Sequence, residues 1–97
     1  MKRNDILAFL KSHKKDMGRI YGVEHIGLFG SHARDAARID SDIDIVVEIE
    51  AEKKTLTNFL GLKRYLEENL GKTVDLGIES TLKPQAKEAA KKDMIYV

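Results

Sequence analysis

Two aspartates separated by one residue, Asp42 and Asp44, follow the pair Gly30-Ser31 after ten intervening residues. On one strand the two aspartate side chains would point to the same face, with Cα atoms about 6.5–7 Å apart. Like charges placed in this way repel each other, and aspartate is a poor strand former. A divalent cation held between or near the two carboxylates explains why such a pair would be present.

Gly30, Ser31 and Arg34 are candidates for binding phosphate. Gly30 has no Cβ, so a ligand can come close to the backbone there. A helix that begins at Ser31 would offer unpaired amide N–H groups and the positive end of its dipole, and the serine hydroxyl could bind a phosphate oxygen. Arg34, one helical turn further on, could steady a phosphate or could pair with Asp35, Asp40 or another carboxylate.

A third carboxylate, Asp75, lies on a separate predicted strand from Thr73 to Ile78. Val74 and Leu76 alternate with it, so Asp75 faces away from the apolar side of that strand. Taken alone, Asp75 is typical of a surface strand residue. Together with the other two aspartates it would complete a three-carboxylate cluster able to hold two metal ions about 3.5–4 Å apart.

The ligand types favour Mg²⁺, with two ions expected and Mn²⁺ as an alternative, because only oxygen ligands are offered. The chain has no cysteine, which excludes thiolate metal sites and disulfides. The three histidines, His13, His25 and His32, show no paired spacing typical of zinc ligands. We assign no function to them.

Each site residue also has an ordinary structural explanation. Ser31 could be only a helix N-cap, and Gly30 only a turn residue. Asp42 and Asp44 could lie on the solvated face of an amphipathic strand that Glu48 continues. The combination of these residues in one short stretch favours the functional interpretation.

The elements that must position these residues follow from the spacing of apolar residues, which changes between helical and strand periods along the chain. The pattern indicates one small unit of α/β type. Four helices are predicted: 3–17, a short Ser31–Ala37, about Thr55–Asn69, and 84–92. The first should close near Gly18 or Gly22, and the third should stop at Gly71. Four strands are predicted: His25–Phe29, Ile43–Ile49, Thr73–Ile78 and Met94–Val97.

Length and composition limit the possible functions. A chain of 97 residues is enough for one domain, 1–97, with a single core. No apolar stretch is typical of a membrane span or a secretory signal, so we expect a soluble cytoplasmic protein with no membrane partner. The net charge of +1 gives no strong signal for nucleic-acid binding.

The segment GLFGSHARDAARIDSDIDIVVEIE resembles the core of the minimal nucleotidyltransferases of the DNA polymerase beta superfamily. In that family a Gly-Ser pair, ten intervening residues and Asp-x-Asp form the signature. Gly30, Ser31, Asp42 and Asp44 fill all four places. The later VDLG supplies Asp75.

The resemblance implies an α+β fold with a mixed β-sheet flanked by helices. It also implies that Asp42, Asp44 and Asp75 ligate the catalytic metal ions, while Gly30 and Ser31 seat the β- and γ-phosphates of a nucleoside triphosphate. Members of this family often act as the antitoxin of a separate helical HEPN ribonuclease. The expected reaction is therefore transfer of AMP from ATP to a hydroxyl of that partner protein.

Two other functions remain compatible with the sequence. The chain could be a non-catalytic antitoxin that neutralises its partner by covering it. It could also be a nucleotidyltransferase acting on a small aminoglycoside, although that group resembles longer chains with an acceptor-binding domain.

Overall fold

The structure is a computed structural model that describes all 97 residues, and a four-stranded mixed sheet lies at its centre. The strands are β1 (Val23–Phe29), β2 (Ile43–Ile49), β3 (Val74–Ile78) and β4 (Ile95–Tyr96). Their order across the sheet is β3-β2-β1-β4. β2 pairs with β1 in antiparallel and with β3 in parallel orientation, and β4 pairs antiparallel with β1.

Four helices flank the sheet, and two short 3₁₀ turns connect elements. The helices are α1 (Arg3–Tyr21), α2 (Gly30–Ala33), α3 (Leu56–Leu70) and α4 (Pro84–Lys91), and the 3₁₀ turns are Ala51–Lys53 and Glu79–Thr81. None of the helices combines the length and apolar character needed to cross a membrane. The mixed sheet with flanking helices confirms the α+β expectation.

The hydrophobic core lies between one face of the sheet and the long helices α1 and α3. Alternate residues of β2, from Ile43 to Ile49, are fully or almost fully buried on this face. Ile6 and Leu10 of α1 and Leu62 of α3 are also fully buried, at the helical spacing that the sequence shows. The opposite face of β2 is thereby left to carry Asp44 and Glu48.

The structure decides one helix end that the sequence left open between Gly18 and Gly22, and it corrects another. α1 continues four residues beyond the predicted Met17, to Tyr21, because Gly18 keeps helical geometry and the left-handed residue that ends the helix is Gly22, with φ of 72°. α2 ends at Ala33 rather than Ala37. The cause is Asp35, which has a left-handed φ of 59° that a continuing helix does not allow.

Glu48 is half-buried and ion-paired, in contrast to the solvated role considered for it. Its carboxylate lies 2.7 Å from Lys54 Nζ and accepts a hydrogen bond of 3.0 Å from the Ser80 amide. Burial acts to raise the pKa of Glu48, but the hydrogen bonds from Lys54 and Ser80 and the charge of Lys54 lower it to about 2. The carboxylate thus fastens the turn after β3 to the segment before α3.

Two glycines that end helices offer a matched test of what limits α1. Gly22 and Gly71 have nearly the same φ, 72° and 68°. A Cβ at Gly22 would lie 2.8 Å from both Glu50 Cγ and Lys53 Cδ, whereas a Cβ at Gly71 would meet nothing within 4 Å.

We expect Gly71→Ala to lower the free energy of unfolding by about 1 kcal/mol, the cost of a left-handed alanine. Gly22→Ala should cost more, because the methyl group must also displace two side chains. Urea denaturation of the two variants measures the difference. An equal loss of unfolding free energy in the two variants would show that the Glu50 and Lys53 side chains move aside without a cost in stability.

Candidate active site

The turn at Gly30 and the carboxylate of Asp44 are in direct contact. Phe29, the last residue of β1, lies opposite Asp44 in the antiparallel register. Gly30 then turns the chain with a left-handed φ of 75°, and a Cβ at this position would lie 2.2 Å from Asp44 Oδ2. Only glycine satisfies both the backbone angle and this approach. The Gly-Ser pair and the second aspartate, separate in sequence, are therefore one structural unit.

Asp44 and Asp75 are partners in the parallel register of β2 and β3. Their side chains point away from the core, because both residues alternate with buried apolar neighbours. Asp42 lies just before β2 and is exposed. The strand pairing thus brings the two predicted segments side by side, and it places Asp75 beside Asp44.

The electrostatics of Asp44 show that the carboxylates are crowded. Burial raises the pKa of Asp44 above its ordinary range, and the charges of Asp75 and Asp42 and a hydrogen bond with Asp75 raise it further. The Arg34 guanidinium opposes this effect. A cation placed between these oxygens would remove the repulsion.

The aspartates fit a hard divalent cation in ligand type, because all of them offer carboxylate oxygens. The three side chains do not surround a common point. In this structure no group of three or more histidine, aspartate or glutamate side chains is arranged to hold a metal ion. Asp44 and Asp75 are the two aspartates that the sheet register places side by side. Asp42 lies exposed at the end of the loop that leads into β2.

Ser31 lies half-buried in α2 beside this cluster. The first amide N–H groups of any helix lack acceptors four residues earlier, and in α2 those amides belong to the residues that follow Gly30. The amides and the serine hydroxyl are donors next to a group of carboxylates. Donors for phosphate and ligands for a cation therefore adjoin one another.

Arg34 pairs with a carboxylate, which is one of the two interpretations that the sequence allowed. Its partner is Asp93, a carboxylate other than the two named candidates Asp35 and Asp40. The Arg34 Nη1 atom lies 2.8 Å from Asp93 Oδ2, and the arginine side chain is 52% exposed. The guanidinium also lies close enough to Asp44 to act on its pKa. It stands at the mouth of the candidate site.

Two residues that we did not single out from the sequence hold the loop that ends at Asp42. His32 is only 2% exposed, and Lys72 Nζ donates a hydrogen bond of 2.8 Å to the carbonyl of Ile39. Burial lowers the pKa of His32, the charge of Lys72 lowers it further, and a hydrogen bond to the backbone of Asp42 opposes both.

Burial and the charge of Lys72 therefore favour the neutral form of the His32 ring. The sequence offered one signal for the importance of His32, its position next to Ser31. No second residue at a spacing typical of a metal ligand or a catalytic base accompanied it. Nothing in the sequence around Lys72 pointed to its contact with a loop more than 30 residues away.

Comparison with known proteins agrees with this geometry. The nucleotidyltransferase domain family matches residues 10–97, and the chain belongs to that family. It is a nucleotidyltransferase, and enzymes of this family generally use divalent metal ions.

One relative is the protein adenylyltransferase MntA of Thermococcus cleftensis. It is 41% identical over 93 residues, which cover 96% of this chain and 93% of the relative. A solved structure described as a minimal nucleotidyltransferase is 34% identical, with a TM-score of 0.83 and coverage of 98% of this chain and 95% of that one.

A more distant structure holds a tri-AMPylated HEPN toxin of Shewanella oneidensis in complex with an MNT antitoxin. The match is 22% identical with a TM-score of 0.61, and it covers 97% of this chain and 66% of that one. At this identity the likeness shows a shared fold.

The crowding of Asp44 leads to a stability prediction for the metal-free protein. Because the folded state raises the pKa of Asp44, the unfolded chain loses its proton first as the pH rises, and ionised Asp44 destabilises the fold at neutral pH. Asp44→Asn should therefore raise the free energy of unfolding at pH 7. The gain should disappear below about pH 3, where the carboxyl is protonated in both states.

Thermal unfolding in the presence of EDTA, followed from pH 3 to pH 7, measures this effect. Asp40→Asn is the matched control, because Asp40 is an exposed residue of the neighbouring loop. A lower stability of Asp44→Asn at pH 7 would contradict the repulsion inferred from the structure.

Proposed function

We propose that this protein transfers AMP from ATP to a hydroxyl of a partner protein, and that the partner is a HEPN-type toxin. The observation that carries the proposal is the contact between the Gly30 turn and Asp44, with Asp75 paired beside it. The name of the Thermococcus relative and the AMPylated toxin in the distant structure support the choice of reaction and partner.

The nucleotide is held by its triphosphate. The Gly30 turn lets the β- and γ-phosphates approach the backbone, and the Ser31 hydroxyl and the first amides of α2 donate hydrogen bonds to their oxygens. Arg34 is half-exposed and can exchange Asp93 for a phosphate oxygen without unfolding any element. Base recognition is left to contacts outside this motif.

Asp42, Asp44 and Asp75 would hold magnesium, with two ions expected. When bound, the metal supplies charge neutralisation at the triphosphate and favours the ionised form of the acceptor hydroxyl. The aspartates contribute by fixed placement, because Asp44 and Asp75 are set by the sheet register and the loop with Asp42 is held by His32 and Lys72.

In the reaction the acceptor oxygen attacks the α-phosphorus of ATP. The new P–O bond joins AMP to the partner, the bond to the β-phosphate breaks, and pyrophosphate leaves. Asp75 is exposed at the edge of the sheet and can receive the proton of the acceptor hydroxyl. Positioning and charge stabilisation account for most of the rate gain in such transfers.

A transfer assay with α-labelled ATP and the purified HEPN-type partner tests these roles. Asp42→Asn and Asp75→Asn should each lower the rate of AMP transfer by about 100-fold or more, because each removes a charge needed in the transition state. Asp40→Asn, which changes an exposed carboxylate of the same loop, should transfer at the wild-type rate.

The same variants separate enzymatic from purely binding neutralisation. In cells that produce the toxin, Asp42→Asn at equal expression should fail to protect. Full protection by this variant, together with unchanged complex formation, would favour the non-catalytic antitoxin instead. Transfer of AMP to an aminoglycoside in place of the protein would contradict the proposed acceptor.

A further inference from the structure

β3 lies at the edge of the sheet, and part of its outer side is unpaired. Its one neighbour is β2, which bonds the inward groups of Asp75 and Gly77. The N–H groups of Val74, Leu76 and Ile78 point outward. The Val74 amide donates a hydrogen bond of 2.9 Å to the Glu67 carboxylate. The amides of Leu76 and Ile78 have no acceptor in the chain.

This edge lacks three of the features that commonly prevent pairing with another chain. Edge strands commonly carry lysine, proline or a bulge that blocks a further strand. The five residues of β3, VDLGI, contain none of these, and the register of β3 with β2 is continuous. Its one charged residue, Asp75, belongs to the candidate active site.

An apolar pocket of about 420 Å³ opens next to this edge, between β3 and the start of α3. Its apolar lining consists of Leu56, Phe59, Leu76, Ile78 and Leu82. The Leu56 side chain is 72% exposed, a large exposure for leucine in the first turn of a helix.

The charged residue of the pocket lining is Lys54, and its charge is already neutralised. Lys54 Nζ lies 2.7 Å from Glu48 and 3.1 Å from Ser80 Oγ. The same contacts fasten the two walls of the pocket to each other. The pocket is thus preformed and suits an uncharged apolar side chain.

We propose that an extended segment of the acceptor protein pairs with the outer edge of β3 as a further strand and places an apolar side chain in this pocket. The unpaired Leu76 and Ile78 amides supply the main-chain bonds, and the pocket supplies the selectivity. This inference rests on the proposed function for the identity of the partner. It explains how a hydroxyl reaches Asp75, which lies on the same strand.

Strand alternation specifies the arrangement of the acceptor segment. A residue opposite Asp75 shares its face of the sheet, while residues opposite Leu76 and Ile78 point to the side of α3, where the pocket lies. The hydroxyl residue and the apolar residue should therefore be one or three positions apart in the acceptor.

Hydrogen exchange of individual amides tests the pairing directly. In the free protein the Leu76 and Ile78 amides should exchange rapidly, whereas those of Asp75 and Gly77 are already bonded to β2 and should be protected. Addition of the purified HEPN-type partner should slow exchange at Leu76 and Ile78 by at least about tenfold. Unchanged exchange at both amides in a saturated complex would overturn the proposal.

Two substitutions on α3 form a matched pair for the pocket. Leu56→Glu puts a charge at the pocket rim, in a helical first turn that tolerates glutamate. Leu60→Glu puts the same charge one turn further on, at a leucine that is 45% exposed and does not line the pocket. The first should weaken partner binding about tenfold or more, and the second should leave it unchanged.

Both variants should bind MgATP like the wild type, because neither residue adjoins the aspartates or the Gly30 turn. Equal losses of partner binding in the two variants would place the contact on the helix surface and overturn the pocket assignment. Protection of Leu76 that grows with the concentration of the free protein would assign the edge to a second copy of this chain, also against the proposal.

The binding experiments do not depend on catalysis. If the partner protects Leu76 but receives no AMP, the proposed reaction fails and the docking mode stands. If AMP is transferred while Leu76 exchanges freely and Leu56→Glu binds normally, the docking mode fails and the reaction stands.

Discussion

The repulsion among three carboxylates is the constraint around which this structure is arranged. Asp44 and Asp75 are adjacent because the register of β2 and β3 places them there, and Asp42 adds a third charge from the end of a loop. The fold accepts this unfavourable arrangement since the apolar residues that alternate with the aspartates are buried against α1 and α3. The stability of the core thus allows a cluster that is unfavourable until a cation is bound.

The Gly30 turn depends on the same cluster. A side chain at position 30 would occupy the place of the Asp44 carboxylate, so the turn and the strand can only be close together because this residue is glycine. The short helix that follows is ended after four residues, and the chain then returns through an exposed loop to Asp42. His32, through the backbone of Asp42, and Lys72, through the carbonyl of Ile39, support this loop in place of regular secondary structure.

Local sequence patterns predicted most of the architecture. The alternation from Ile43 to Ile49 and the helical spacing of apolar residues in α1 and α3 depend on burial, which acts on each element separately. The signature Gly30, Ser31, Asp42 and Asp44 was likewise visible, because short-range geometry imposes its spacing. Asp75 was selected only through its combination with the other two aspartates, because its alternation with apolar neighbours is by itself typical of a surface strand residue.

Interactions between distant segments could not be predicted in this way. The contact of Lys72 with the Ile39 carbonyl and the pairing of Arg34 with Asp93 depend on how separate elements meet, and neither leaves a periodic pattern. The sequence left the end of α1 undecided for a related reason. Gly18 and Gly22 are equivalent as residues, and only the three-dimensional course of the chain decides which of them becomes left-handed.

The two ends of β2 differ in a way that has a consequence for behaviour in acid. At one end Asp44 holds its proton more firmly than an ordinary aspartate, and at the other Glu48 stays ionised until about pH 2. Mild acidification of the metal-free protein therefore neutralises Asp44 first, while the Lys54–Glu48 pair remains charged. Within one strand of seven residues, acid therefore reaches the carboxylate beside the Gly30 turn before it reaches the ion pair that fastens the turn after β3.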